Sequence, residues 1–222
     1  LLLLPQFKLD DFATAFCLSL ALALFFPWFA RHGVRLAHAG TLGLGPDGKK
    51  APFRSREGLY LFGLTFVRQY CYFGVMTTLV SAFACDFEDL GRIVMKRDRS
   101  VTCFSFASAH TLYVLGAAAG ILCFYPVATL LSPNFQFNNK SLDLKYDQTY
   151  LIVDAQAQLL IAGFSVFYGG GASESSWAFV LVPQLLIAGM LTATNVTVQP
   201  CLVPSVNKFK TASLAASTWS FF

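Results

Sequence analysis

Residues 101–132 read VTCFSFASAHTLYVLGAAAGILCFYPVATLLS, a run without a single Asp, Glu, Lys or Arg. A helix needs roughly 17–25 predominantly apolar residues to cross the hydrocarbon core of a bilayer, and this run is long enough. Two further uncharged runs flank it, FATAFCLSLALALFFPWFA at 12–30 and SSWAFVLVPQLLIAGMLTATNVTVQP at 175–200. Across 222 residues the chain is 55% hydrophobic and 13% charged, with a mean hydropathy of +0.57. Soluble domains carry about 25% charged residues, so an ordinary soluble enzyme is excluded. The expectation is an all-α polytopic transmembrane bundle forming a single domain over 1–222. About six spans are expected, at 12–30, 58–85, 101–131, 150–167, 175–198 and 211–222, the last one truncated. The chain begins at Leu1 rather than Met and ends at Phe222 in an apolar stretch, which reads as a fragment.

The net charge is +4, but the basic residues lie mainly between apolar runs. They do not form a patch on a soluble face, so no nucleic-acid partner is implied. Their distribution instead orients the spans. Loop 31–57, loop 132–147 and link 200–210 together hold ten Lys and Arg. The other side holds five: Lys8, Arg92, Lys96, Arg97 and Arg99. The richer side is expected to be cytoplasmic, and loop 86–100 outward. On the cytoplasmic side Lys49, Lys50, Arg54 and Arg56 are placed to contact anionic lipid headgroups, worth about 1 kcal/mol each.

Cys85 and Cys103 then sit at the two ends of one outward loop. That side of a secretory-pathway membrane is oxidising, and a disulfide there is worth roughly 3 kcal/mol by loop entropy. The alternative is two unpaired interfacial thiols. Cys17, Cys71 and Cys123 fall inside apolar runs and read as packing residues. No Cys or His spacing suggests a metal, and no cofactor is expected. His110, alone in the third span, reads as a core or interfacial histidine. The sequons at Asn139 and Asn195 are expected to be unglycosylated.

Arg68 and Asp154 are the two charges inside spans. Intramembrane charges are costly and face the bundle interior or a partner. They are expected to form an ion pair or a shared polar cluster with Gln69, Gln156 and Gln158. The first reading is an interhelical clamp, the second a coupling or ion-pathway role. Gly116 and Gly120 form a GxxxG stretch that allows close helix approach. Pro126 and Pro183 mark kinks or helix ends. No Ser/His/Asp set, P-loop, GxGxxG or carboxylate pair appears, so the expectation is a protein that is not an enzyme.

One order of features carries a resemblance. Cys85 is followed by Asp98-Arg99-Ser100, Cys103 and His110. Tyr125-Pro126, Tyr146, Tyr150 and Asp154 come next, then Pro200, Asn207 and Ser213-Leu214. Over 58–222 this resembles the C-terminal multi-span module of very large algal and oomycete cell-surface proteins. That module is itself similar to TRP-like and polycystin-like membrane domains. The resemblance implies a non-enzymatic membrane anchor for a large extracellular assembly, such as a flagellar surface filament or wall-linked glycoprotein. Its partners would be membrane lipids and its own or a partner's ectodomain, in a plasma or flagellar membrane. A TRP-like channel or mechanosensory subunit is the second expectation. The third is an accessory subunit of an organellar membrane complex, beside other membrane subunits. The chain departs from the resemblance at Gln156 and Gln158, where a basic residue is usual, and at Pro200-Cys201. Only about ten residues join its last two expected spans, too few for a re-entrant filter.

Overall fold

A computed structural model describes residues 11–38, 60, 63–87, 91–105, 108–131, 147–168, 174–201 and 203–219. Six α-helices and one small hairpin organise them. In chain order these are α1 (Phe12–His38), α2 (Tyr72–Ser81), β1 (Cys85–Phe87), β2 (Ile93–Met95), α3 (Ala109–Pro126), α4 (Gln148–Tyr168), α5 (Glu174–Val198) and α6 (Pro204–Trp219). A π-helical turn, Val67–Cys71, leads into α2, and a second, Val127–Leu131, continues α3.

Among the described residues four segments are long and apolar enough to cross a membrane: Phe12–Gly33, Ala109–Leu130, Gln148–Tyr168 and Val180–Val198. Their outer faces carry large apolar side chains. Leu18, Trp28, Leu112, Leu122, Leu186 and Met190 are all exposed, as lipid-facing side chains of spanning helices are. The helical stretch at 63–81 is shorter and contains Arg68. Helix α6 starts earlier than the last expected span, carries Lys208 and Lys210, and at 16 residues is too short to be among the four.

Short polar residues set the helix starts. Asp11 caps α1. Its carboxylate accepts from the Ala13 N–H at 3.2 Å and the Thr14 hydroxyl at 2.8 Å, satisfying donors the helix leaves free. These bonds, the Thr14 hydroxyl foremost, hold the Asp11 carboxyl below its ordinary range. Asp147 does the same for α4, accepting from the Tyr150 N–H at 3.0 Å. Gln199, at φ 46°, closes α5 in the left-handed conformation just before Pro200, a common helix-end geometry.

The third span departs from expectation at its start. Residues 101–105 do not enter α3. They fold back on the hairpin, where Met95 N–H donates to Val101 O at 2.9 Å and Cys103 N–H to Ile93 O at 2.8 Å. Val94 bridges Thr102, and β1 pairs antiparallel with β2 in the register Cys85–Met95. The described residues are mostly helical, as expected, but the expected loop 86–100 carries a small antiparallel hairpin, with Gly91 at φ 73° just ahead of β2. Backbone polar groups outside a helix must find partners, and this hairpin supplies them for an otherwise apolar stretch.

Two cores hold the molecule. The larger joins α1, α2, α3 and the hairpin. At its centre Phe26, Tyr72 and Phe124 are almost wholly buried, with Phe124 edge-on to Phe26 and stacked on Tyr72. Gly116 and Gly120 are where α1 comes in close. A Cβ at Gly116 would lie 3.2 Å from Leu20 and one at Gly120 3.1 Å from both Leu20 and Leu79. The smaller core packs Ala157 of α4, Ile187 and Leu191 of α5 and Leu214 of α6. Helix α4 belongs to both, through Ala155 and Ala157.

The ends of the helices alternate. Phe12 and Phe16 pack on Tyr113, so α1 and α3 begin at the same end. The Gly33 N–H donates to the Tyr60 hydroxyl at 3.1 Å at the other end. There too Asp147 N–H donates to Pro200 O at 2.8 Å, joining the start of α4 to the end of α5. Lys96 of the hairpin donates to Phe167 O near the end of α4. The hairpin therefore shares an end with the C-terminus of α4.

Candidate functional site

Two groups of polar residues stand out in this apolar frame. The first lies inside the bundle. Asp154 sits on the second turn of α4, about 10 Å along the axis from its start at 1.5 Å per residue. Gln158, one turn further, donates to its carboxylate at 3.3 Å. The ion pair of Asp154 among the described residues is with Lys210 of α6, at 3.6 Å. The Lys210 ammonium also stands 4.6 Å above the centre of the Tyr150 ring, a cation–π contact. Arg68, on the first π turn, feels the Asp154 charge without being its ion-pair partner in the described structure. This corrects the expected pairing: Lys210 holds the place given to Arg68.

The glutamines divide as well. Gln156 points away from Asp154 and accepts from the Tyr125 hydroxyl on α3 at 2.8 Å. The Gln69 side chain lies outside the described residues, as do Lys49, Lys50, Arg54 and Arg56. The expected five-residue cluster is thus two linked contacts, Asp154–Gln158–Lys210 and Gln156–Tyr125, with Arg68 in electrostatic range of the first. Both π turns flank it. One carries Arg68, and the other begins two residues after Tyr125, where Pro126 supplies no N–H and Thr129 donates to Tyr125 O at 2.7 Å. Such turns are frequent at functional sites. The arrangement clamps α3, α4 and α6 together by charge and hydrogen bonds.

The second group caps the end of the bundle at which α1 and α3 begin. Cys85 and Cys103 are joined in a disulfide with their Cα atoms 6.4 Å apart. The bond links the start of the hairpin to the segment that leads into α3. His110, on the first turn of α3 and 5% exposed, reaches back to it, with Nε2 3.5 Å from Cys85 Sγ. Ser108, at the N-cap of α3, donates to Thr102 O and Ser105 O, tying the start of the helix to the segment that follows the hairpin.

A third polar knot, unforeseen from the sequence, closes the α5–α6 corner. Asn195 is fully buried and donates to Asn207 O at 3.0 Å and Thr211 Oγ1 at 2.6 Å. Asn207 pairs like a peptide group with Cys201, accepting at 3.0 Å and donating at 2.7 Å. The Asn195 sequon is therefore closed to glycosylation in the folded protein, while Asn139 lies outside the described residues. The signal available in the sequence was two asparagines bracketing Pro200 at the end of an apolar run.

No family model, curated protein or solved structure matches the chain.

Proposed function

We propose that the chain is the membrane-embedded part of a non-enzymatic surface anchor. The observation that carries this reading is the covalently closed hairpin at 85–105. It ties two successive helices together at the end opposite the C-terminal ends of α1 and α3. A disulfide at that end suits an oxidising exterior and a module that must resist pulling from outside. The stretch at 63–81 is proposed as a further crossing, so that α1 through α5 alternate and the hairpin and the start of α1 face outward. The resemblance to the membrane modules of large algal and oomycete surface proteins supports the same assignment, in a plasma or flagellar membrane. Lipids and an extracellular filament or ectodomain are the partners.

Peptide mapping of the native protein without reduction tests it. A Cys85–Cys103 crosslinked peptide, together with glycosylated peptides from upstream of Leu1, is the expected result. Free thiols and a short upstream segment would contradict it and favour an accessory subunit of an organellar complex.

One observation favours a second reading, a TRP-like channel or mechanosensory subunit: charged groups meet between two π turns inside the bundle. On that reading Asp154→Asn abolishes an ion current in reconstituted bilayers. On the anchor reading neither protein conducts.

A further inference from the structure

Phe104 follows the bridged Cys103 directly and has a left-handed backbone, φ 59°, unfavourable for a bulky side chain. That conformation turns its N–H toward His110 Nδ1, at 3.4 Å. Its ring meets the imidazole edge-on, with centroids 5.8 Å apart. An N–H donor at Nδ1 makes that nitrogen the acceptor, which assigns the ring proton to Nε2. Nε2 is the atom 3.5 Å from Cys85 Sγ, so the imidazole N–H donates to one sulfur of the disulfide. Cys85 is half-buried, whereas Cys103 is buried. The sulfur bonded to His110 therefore belongs to the more accessible cysteine.

We propose that Cys85 is a site of thiol–disulfide exchange with a small thiol and that His110 is its positioning residue. A thiolate attacks Cys85 Sγ, forming a mixed disulfide there, and Cys103 leaves as the thiolate. A second thiolate then attacks the outer sulfur of the mixed disulfide. The small-molecule disulfide departs, and Cys85 leaves as a thiolate that accepts the His110 Nε2–H. The small thiols lose two electrons and the protein bond gains them. The leaving thiol's stability sets the rate of such a step, and a hydrogen bond to the charged sulfur supplies it. The hairpin survives the opening, because the Met95–Val101 and Cys103–Ile93 backbone bonds do not depend on it. The two sulfurs thus remain neighbours and the bond can re-form. The proposal rests on the disulfide and its histidine, not on the anchoring role.

The sulfurs and the imidazole also have the composition of a metal site, with ligand atoms within 4.8 Å of one another. The tautomer speaks against it. A metal-ligating histidine donates its other ring N–H, whereas here the other nitrogen accepts one.

The test uses the full chain, purified in detergent without reductant. It is incubated with reduced glutathione, quenched by alkylation and peptide-mapped. Glutathione is expected on Cys85 and not on Cys103. His110→Phe slows release of Cys85 from the mixed disulfide by on the order of tenfold. His110→Gln, which keeps a donor, recovers most of the rate. Glutathione on Cys103, a bond that resists glutathione in the folded protein, or equal rates for wild type and H110F would overturn the proposal. Should H110F not fold, the choice between Cys85 and Cys103 in the wild type decides alone. Uptake of one zinc ion per reduced chain would overturn the tautomer and the proposal with it.

Discussion

Gly120→Leu puts the packing of α1, α2 and α3 to a quantitative test. A Cβ at Gly120 would stand 3.1 Å from both Leu20 and Leu79, and Leu79 is fully buried. Carbon–carbon contacts are best at about 3.5–4.0 Å, so even alanine must push two methyl groups back by a few tenths of an ångström. Alanine recovers about 1 kcal/mol of helix propensity over glycine, and the two effects nearly cancel. Leucine adds three further carbons to an occupied seam. Overpacking of this kind costs up to about 3 kcal/mol, against a propensity gain of about 1 kcal/mol, for a net loss of roughly 2 kcal/mol. Gly163 is the control, since a Cβ there meets nothing within 4 Å. The assay is unfolding in mixed detergent micelles, followed by reaction of the half-buried Cys71 with a thiol dye. G120L should unfold well before wild type and G163L with it or later. Equal midpoints for G120L and G163L would refute the seam.

Other outcomes follow from the polar groups. Asp154→Asn removes the charge opposite Lys210 in a half-buried ion pair and should destabilise by roughly 1 kcal/mol, the upper end for solvent-accessible pairs. Adding Lys210→Met should restore part of that loss, and a double-mutant cycle on micelle unfolding measures the coupling. Asn195→Ala leaves Asn207 O and Thr211 with fewer donors, which should destabilise by about 1–3 kcal/mol and lower the thermal midpoint. The effect should be confined to α5 and α6 in hydrogen exchange. Asp11 has a depressed carboxyl, so its cap is complete above the ordinary carboxylate value and is lost as pH falls through the folded one. Amide exchange at residues 13–15 should accelerate there on acidification, and an Asp11→Asn protein should lack that acceleration.

The sequence carried the long apolar helices because uncharged runs of this length have few other solutions. It carried the starts of α1 and α4 less fully. Asp11 stands directly ahead of the uncharged run at 12–30, where a helix start favours a carboxylate, whereas Asp147 ends the polar stretch 132–147, which reads as a loop although the same chemistry applies. The hairpin could not be read, because strands of three residues are too short to show a period of two. Once it forms, it draws residues 101–105 out of the apolar run that looked like the third span. Lys210 was hidden by a different cause. Its partner Asp154 lies far away in sequence, and only the fold of α6 against α4 brings them together. A cation in a helix of small and polar residues was the available clue, and positive charge near a span end reads by default as an orientation signal. Gly116 and Gly120 were legible because close approach of a helix requires small residues wherever the partner comes from.

The side of the membrane on which the hairpin stands is the most direct test of the account. Cysteines introduced at Phe87, exposed on β1, and at Lys208, near the start of α6, would be probed on intact cells with a membrane-impermeant maleimide. The account predicts labelling of F87C without permeabilisation and of K208C only after it. The opposite pattern would place the disulfide on the reducing side and contradict the anchor.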